Sequence, residues 1–391
     1  MIAVRASGNR WLPLVLLNSL LIQGAVYVVR PMMTYRAVDL GADSALVGAI
    51  GATFALAPLI FAISIGRWID RGRDGAALFY GTVITLLTTV GLLFANQLWL
   101  LAIAMPFLGI GHLLIMLGGQ TMIANRSADS KYEKNFGLIT FYASLGHAAG
   151  PFIGGWLADK GEVIDTTTPL VFAICLFALA SIMTVPLIKN VSKTKEQLVD
   201  FNPLSLRAVF AVPQFKSAIF VSGAITAVMD VYLIFMPLLG RQFGMTPTQI
   251  GILLAIRAIS TMAVRIVLGT ITQKFGMKNS LQFGSLVTLL SCVAVAVVTD
   301  FWWLALVMAI AGFAMGIGQP STMAWVSRIS DPAQRGLAIS IRLTANRLGQ
   351  VVVPSAAGLL ATGGVGVVFL GLAALQASSM VVTSQALKKS D

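Results

Sequence analysis

Five charged side chains that fall in or beside long apolar segments are the residues of this sequence best suited to chemistry. They are Arg30, Asp230, Arg257, Arg342 and Arg347. An ionisable side chain inside a lipid bilayer is costly, and it usually faces a cavity or a partner of opposite charge. We expect Arg257 and Arg347 to bind an anionic group of a substrate. Asp230 would then be their counter-ion and a carrier of protons.

Each of these charges also has a purely structural interpretation. Arg342 and Arg265 lie within about two helical turns of the ends of their apolar segments, so both side chains could extend into the membrane interface. Arg257 and Arg347 could form a structural ion pair with Asp230 instead of binding a substrate. Both interpretations require the same residue types at the same depths, so the sequence leaves them open.

Arg30 and the two histidines are open to more than one interpretation. Arg30 precedes Pro31, which bends a helix, so it suits a gate, a cavity ligand or an anchor at the interface. His112 and His147 could titrate near neutral pH. A lone histidine in an apolar helix is more often a packed residue with a satisfied hydrogen bond.

The segments that must position these residues are long and apolar. Hydrophobic residues make up 57% of the 391-residue chain and charged residues 11%, whereas soluble domains contain about 25% charged residues. A membrane-spanning helix needs about 20 apolar residues, and glycine, proline and polar breaks separate twelve such segments. The predicted helices lie near residues 11–34, 45–66, 76–95, 98–123, 135–158, 168–188, 214–240, 248–270, 279–299, 301–325, 336–361 and 364–386.

The longest polar stretch divides these helices into two sets of six. We therefore predict an all-α membrane protein with a six-helix bundle at residues 1–188, a cytoplasmic linker at 189–213 and a second six-helix bundle at 214–391. Lys and Arg residues outside the helices concentrate on the side that carries both termini, which is typical of cytoplasmic loops. We thus expect a multi-pass protein of the bacterial inner membrane with both termini in the cytoplasm.

The two halves resemble copies of one another. A shift of 203 residues, from Gly41 to Gly244, aligns glycines and prolines of several helices. The other aligned pairs are Gly48 and Gly251, Gly66 and Gly269, Gly146 and Gly349, Pro151 and Pro354, and Gly155 and Gly358. Duplicated halves are common in membrane transporters, so two pseudo-symmetric bundles are the predicted architecture.

The loop after the second predicted helix carries charges spaced around glycines. Glycine lets helices approach closely, and charges in such a loop could pair across the two halves at the membrane surface. A generic basic loop that only sets topology is the alternative. The residues concerned are Gly66, Asp70, Arg71 and Arg73, with Gly269, Lys274 and Gly276 at the matching positions of the second half.

This loop resembles the signature of the major facilitator superfamily, which is a glycine, three residues, Asp-Arg, one residue, then a glycine and basic residues. Gly66, Asp70 and Arg71 match, whereas Gly72 comes one residue early and Asp74 stands where a basic residue is usual. The resemblance implies a twelve-helix transporter in which Asp70 helps to latch the outward-open state.

The fifth predicted helix has the most specific pattern in the chain. Glycines four residues apart form a smooth face for close packing, and a proline bends the helix. The residues are Gly146, Gly150, Pro151, Gly154 and Gly155. The string also resembles the fifth-helix motif of exporters in the same superfamily, which implies exchange of a substrate against protons.

The fourth predicted helix departs from the proton-coupled members of the superfamily. Those members usually carry an arginine a few residues before a Gly-x-Gly, and the residues before Gly109 and Gly111 include none. This departure argues against proton exchange, whereas the fifth-helix motif argues for it.

No enzymatic site is apparent in the sequence, because it has no phosphate-binding loop, no paired carboxylates and no cluster of metal ligands. We expect no cofactor and no metal, so transport must use an ion gradient. The net charge of +12 follows the predicted cytoplasmic loops. We therefore assign it to topology in the lipid bilayer and not to nucleic-acid binding.

These observations predict a proton-coupled secondary transporter that exports a small organic compound, anionic or amphiphilic, by alternating access. The protein would act as a monomer on a small-molecule substrate and protons. The alternative is a permease that takes up a small carboxylate by proton symport. A receptor on the same scaffold fits the short loops less well, and a channel fits the duplicated, Gly-rich halves less well.

Overall fold

Helices account for most of the residues that a computed structural model describes, which are 11–161, 163–188, 203–331 and 334–387. The first half forms six long helices. They are α1 (Trp11–Asp39), α2 (Ser44–Asp70), α3 (Asp74–Leu93), α4 (Leu98–Arg126), α5 (Tyr132–Ala158) and α6 (Thr167–Ile188). The short strands β1 (Asp159–Lys160) and β2 (Val163–Ile164) pair in antiparallel fashion between α5 and α6.

The second half begins with a short helix and continues with five long ones. They are α7 (Pro203–Ala211), α8 (Phe215–Gln242), α9 (Pro247–Val297), α10 (Phe301–Ile329), α11 (Arg335–Leu360) and α12 (Val365–Leu387). The predicted linker at 189–213 lies partly outside the described residues, and its described part contains α7. Helix α7 packs against α8 through its apolar side chains.

Helix α9 contains two membrane spans separated by one residue. Gly276 has φ of 77° and ψ of 161°, which is not helical and lies in the region that favours glycine. With α9 counted once, ten helices among the described residues are long and apolar enough to cross a membrane by length and composition. The two parts of α9, and α11 with its arginines, bring the total to the predicted twelve. The predicted all-α membrane fold is thus confirmed, and helix ends differ from the predictions by a few residues.

Local sequence explains where several of these helices begin. Thr246 accepts a hydrogen bond from the backbone N–H of Gln249, whose side chain accepts one from the backbone of Thr246, and Pro247 occupies the first turn of α9. Asp300 accepts hydrogen bonds from two backbone N–H groups at the start of α10. Such caps satisfy N–H groups that have no partner within the helix.

The long helices form two bundles, here called the N bundle (α1 to α6) and the C bundle (α8 to α12). Within the N bundle α1 packs on α5 and α6, and α3 packs on α4 and α6. Within the C bundle α9 packs on α10 and α12, and α8 packs on α11. The main contacts between the bundles join α5 to α9, α2 to α11 and α1 to α8.

The bundles touch closely at one end of the protein. We call the end where α1 begins and α12 finishes the terminal end, and the other the opposite end. At the opposite end a Cβ added to Gly48 in α2 would lie 2.5 Å from the carbonyl oxygen of Pro354 in α11. Arg241 of α8 also forms an exposed ion pair of 3.1 Å with Asp39 of α1. The opposite end is therefore closed in this conformation.

The glycines of α5 lie on two faces that contact different helices. A Cβ on Gly146 would lie 2.6 Å from a carbonyl oxygen of α1, and one on Gly150 would lie 2.5 Å from another. A Cβ on Gly155 would instead lie 2.2 Å from the carbonyl oxygen of Pro247 in α9. Gly154 also faces α1, where an added Cβ would lie 3.3 Å from the side chain of Val28. One face of the predicted packing motif thus holds the N bundle together, and the other joins the two bundles.

Candidate substrate cavity

A cavity of about 420 Å³ lies between the two bundles. Its wall combines residues of α1 to α5 with residues of α8 to α11. Sites for small organic molecules typically have volumes of about 300–1,000 Å³. On α1 the lining residues extend from Val15 to Arg30, and the residues after Arg30 are packed against α8. The cavity therefore reaches from the terminal half of the protein to the level of Arg30.

A buried ion pair between Arg30 and Asp230 joins the bundles at this level. The guanidinium nitrogens of Arg30 donate to the two carboxylate oxygens of Asp230 at 2.5 and 2.8 Å. Both side chains are about 95% buried, and the Arg30 guanidinium lies 4.4 Å from the centre of the Phe54 ring. A two-point arginine–carboxylate contact is strong and has a fixed geometry, so it ties α1 firmly to α8.

Arg347 reaches this pair only through a glutamine. Its Nη1 donates to Gln350 Oε1 at 3.0 Å, and Gln350 Nε2 donates to Asp230 Oδ1 at 3.3 Å. All three residues line the cavity. The ion-pair partner of Asp230 is thus Arg30, and not Arg257 or Arg347 as the structural interpretation proposed. The reason is that α8 faces α1 across the interface between the bundles.

Arg257 and Arg342 are not among the residues that line the cavity. The guanidinium of Arg257 lies 6.0 Å from the centre of the Tyr232 ring inside the C bundle. Arg342 Nη2 donates to the backbone and side-chain oxygens of Gln319 and to Thr322 Oγ1, at 2.9 to 3.0 Å. Arg342 therefore links α11 to α10. The predicted role of these two arginines in substrate binding has no support from their positions.

Arg265 lines the cavity, although its position in the sequence suggested an interfacial side chain. Its Nη1 donates to Ser144 Oγ at 3.3 Å, which is a contact between α9 and α5 and thus between the bundles. Depth along a helix does not reveal which side of the helix a residue occupies, so the sequence left the position of Arg265 open.

Both histidines line the cavity and share one hydrogen-bond acceptor on α1. Gln23 Oε1 lies 3.0 Å from His112 Nε2 and 3.1 Å from His147 Nε2. An amide oxygen only accepts hydrogen bonds, so each imidazole carries its proton on Nε2. The His147 ring also stacks on Tyr27 with the ring centres 4.2 Å apart. The polar cluster on the N bundle wall therefore has defined donors and acceptors.

A signal for this cluster is present in the sequence, although sequence reasoning missed it. His147 directly follows Gly146 in the packing motif of α5, and the motif brings the backbone of α5 against α1. A residue next to such a glycine lies close to the same neighbouring helix. His147 could therefore have been placed beside Gln23 and Tyr27 rather than treated as a lone packed residue.

The predicted gating loop lies at the terminal end, where Gly66 and Gly269 contact no neighbouring helix of the described chain. Asp70 ends α2 with an exposed side chain, and Arg71 follows it as the C-cap. The guanidinium of Arg73 lies 5.5 Å from the centre of the Trp68 ring. Among the described residues, no guanidinium or ammonium group of the other half lies within ion-pair distance of Asp70. The predicted pairing across the halves is absent from this conformation.

The residue that departs from the family signature has a structural role. Asp74 is fully buried and accepts a hydrogen bond from Arg126 of α4 at 3.3 Å and from the backbone of Gly75 at 2.7 Å. It thus joins the start of α3 to the end of α4. In the second half, Gly276 breaks α9, Gly269 has open space around it, and Lys274 lies 5.5 Å from the centre of the Phe275 ring.

Comparison with known proteins identifies relatives of the whole chain. The sequence matches the model of the Major Facilitator Superfamily over residues 15–239 and 218–387. The tetracycline resistance protein, class H, of Pasteurella multocida is 24% identical over 333 residues, which cover 80% of this chain and 78% of that protein. Multidrug resistance protein 1 of Bacillus subtilis (strain 168) is 23% identical over 358 residues, which cover 90% of each chain.

The structure also resembles solved structures of transporters. The crystal structure of the nucleoside transporter NupG superimposes with a TM-score of 0.80 at 14% identity, covering 97% of this chain and 100% of that chain. These relatives are transporters and not enzymes, as the sequence predicted. Since the family model matches both halves and most of the chain, this protein belongs to the Major Facilitator Superfamily.

Proposed function

We propose that this protein exports a small organic compound by alternating access, in exchange for protons. Two of its relatives are named for resistance to tetracycline and to multiple drugs, which supports a cargo of that general type. The glycine and proline motif of α5 supports export through its resemblance to exporters. A cavity between two bundles that are closed at one end suits a rocking mechanism.

The observation that carries the proposal is the ion pair between Arg30 and Asp230. Among the described residues that line the cavity, Asp230 is the one carboxylate, and its partner belongs to the other bundle. A proton on Asp230 removes the charge that attracts Arg30. Protonation would therefore weaken the contact between the bundles, which is how a proton gradient can drive a movement between them.

Uptake by proton symport is the second candidate, and the charge of the cavity favours it. Arg30, Arg265 and Arg347 line the wall together with the single carboxylate of Asp230. A proton on Asp230 makes this wall more positive, so proton and an anionic cargo would favour each other's binding. Symport requires that cargo and proton strengthen each other's binding, whereas exchange requires that each weakens the binding of the other.

Everted membrane vesicles, with their interior acidified by respiration, test the proposal and separate the candidates. Under the export hypothesis the vesicles accumulate tetracycline or another active compound, and an uncoupler abolishes the accumulation. The Asp230→Asn variant loses this proton-driven accumulation, whereas the matched control Arg328→Gln, at an exposed arginine of α10, retains it. Accumulation that is insensitive to the uncoupler would contradict proton exchange. Proton-driven accumulation in right-side-out vesicles only would favour symport.

We further propose that both termini face the cytoplasm of a bacterial inner membrane and that the monomer is the functional unit. The distribution of Lys and Arg supports the orientation, and the complete cavity within one chain supports the monomer. A phosphatase fused after Asp391 should be inactive if the C-terminus is cytoplasmic. Activity of that fusion would reverse the assigned orientation.

A further inference from the structure

Two arginines on the described cavity wall have no carboxylate partner. Arg265 of α9 and Arg347 of α11 both line the cavity. Among the described residues, no carboxylate oxygen lies within 4.0 Å of either guanidinium group. Their hydrogen-bond acceptors are neutral: Ser144 Oγ for Arg265 at 3.3 Å, and Gln350 Oε1 for Arg347 at 3.0 Å. Each of these two guanidinium groups thus has a hydrogen-bond acceptor but no negatively charged partner.

The one acid among the lining residues is already engaged. Both carboxylate oxygens of Asp230 accept hydrogen bonds from Arg30, and Oδ1 also accepts one from Gln350. Asp230 therefore has little capacity left for a positively charged ligand. Three guanidinium groups against one carboxylate leave the wall with two excess positive charges. In a site of low dielectric constant, such an excess strongly favours a negatively charged ligand.

The N bundle wall adds neutral groups that would contact the rest of the ligand. Asn18 is completely buried and lines the cavity, and its amide nitrogen and oxygen have no hydrogen-bond partner among the described residues. His112 Nδ1 is also buried without a partner there, and it is free to accept because Nε2 holds the proton. The rings of Tyr27 and Phe54 supply apolar surface on the same wall. Unsatisfied polar atoms on a cavity wall are groups that a ligand can satisfy.

We propose that the cavity is a binding site for organic anions, in which Arg265 and Arg347 hold the anionic group. The body of the ligand is apolar or aromatic and lies against the N bundle wall, where Asn18 hydrogen-bonds to it. This inference rests on the proposed function only in taking the cavity to be the transport site, and an anionic cargo is the case that the symport candidate describes. It does not depend on the direction of transport or on the proton, and it replaces Arg257 with Arg265 in the predicted anion site.

A binding assay without any ion gradient tests the proposal. The purified full-length protein is mixed with 1-naphthoate, 1-naphthamide or 1-naphthylmethylamine, which share one aromatic body and are anionic, neutral and cationic at neutral pH. Thermal unfolding and equilibrium dialysis measure binding to each. We expect 1-naphthoate to raise the unfolding midpoint, and the two neutral or basic compounds to bind at least tenfold more weakly, because charge-assisted hydrogen bonds to arginine are lost.

Variants then locate the anionic group. Arg265→Gln and Arg347→Gln should each weaken 1-naphthoate binding at least tenfold, and Arg328→Gln, which removes an exposed charge, should leave it unchanged. Equal affinity in all three variants would overturn the proposal, and so would tighter binding of the amide or the amine. The proposal is also overturned if 1-naphthoate neither raises the unfolding midpoint nor binds in equilibrium dialysis. Binding without proton-driven transport would leave this site intact and contradict only the proposed function.

Discussion

Glycines lie at both ends of the interface between the bundles, but they are packed at one end and unpacked at the other. At the opposite end, Gly48 and Gly155 each lie so close to a backbone carbonyl of the other bundle that a Cβ would be 2.2 to 2.5 Å away. At the terminal end, Gly66, Gly137 and Gly269 have no atom of another described helix within 4 Å of an added Cβ. The same helices α2, α5 and α9 therefore carry packed glycines at one end and unpacked glycines at the other.

This difference explains why a transporter keeps small residues at positions that contact nothing in one state. Gly48 and Gly66 lie on one helix, and the internal repeat relates them to Gly251 and Gly269. Alternating access requires that the end now open should close in another state. We infer that Gly66 and Gly269 serve that closure, as Gly48 and Gly251 serve the present one.

The largest effect is expected where the closed and open regions meet. Arg30→Gln leaves Asp230 as an uncompensated buried charge, so it should lower the free energy of unfolding by about 3–5 kcal/mol. The double variant Arg30→Gln/Asp230→Asn should recover most of that loss. Denaturant unfolding of the purified protein measures both. The exposed ion pair between Arg241 and Asp39 at the closed end is the control, since Arg241→Gln should lower the free energy of unfolding by only about 0–1 kcal/mol. Equal losses at the two pairs would show that burial does not distinguish them.

A smaller effect is expected from crowding the closed end. A Cβ on Gly251 would lie 2.3 Å from the carbonyl oxygen of Pro151, so Gly251→Ala should shift the equilibrium toward opening by about 1–3 kcal/mol. Spin labels at Val163 and Gln242, which are exposed at the opposite end, should report longer distances. Gly269→Ala is the matched control from the same helix and should leave these distances unchanged. An effect of both variants on these distances would remove the distinction between the two ends.

Acid should weaken one hydrogen-bonded contact at the closed end. The side chain of Thr248 in α9, and that of Thr246 beside it, hydrogen-bond to Asp159 after α5, and they hold the pKa of Asp159 below its ordinary value of 3.8. The contact is therefore fully present above pH 3.8 and is lost as the pH falls through the lowered value. Solvent screens this partly exposed carboxylate, so the shift toward opening should be below about 1 kcal/mol. The same pair of spin labels should report a longer distance over that range. Asp159→Asn should remove the pH dependence, and its persistence in this variant would assign it to another group.

The smallest effect on stability is expected at the open end. Asp70 is exposed, so Asp70→Asn should change the free energy of unfolding by less than about 0.5 kcal/mol. Transport should nevertheless decrease, because the resemblance to the superfamily assigns Asp70 to a latch in the other state. Unfolding and vesicle transport measured on the same preparation separate the two effects. Full transport by Asp70→Asn would contradict the gating role.

Sequence reasoning identified much of the fold because membrane spans have a strong local signal. The apolar runs predicted all twelve spans, and the break near Gly276 came from a polar gap between two of them. The α5 motif also predicted close packing, since glycines four residues apart always lie on one face of a helix. It did not reveal that Gly155 faces a different helix from Gly150.

The candidate site was predicted less completely. Asp230, Arg347 and Arg30 were identified and do line one cavity, because any charge in an apolar span is conspicuous. Their partners were assigned incorrectly, and Arg265 and Gln23 were not recognised as cavity residues. In soluble proteins the apolar stripe of a helix shows which face is buried. A helix in a bilayer is apolar on nearly all sides, so its sequence does not show which face meets lipid and which meets a cavity.

The sequence by itself determined the twelve apolar spans, the glycines and prolines that align between the halves and the presence of costly charges inside the membrane. These properties depend on composition and spacing along one segment of chain. Tertiary structure alone decided that Arg30 pairs with Asp230, 200 residues away, and that Arg265 and Arg347 share a cavity wall while Arg257 and Arg342 do not. Such pairings depend on which helices are neighbours and how each is rotated about its axis, and backbone contacts at a few glycines set both.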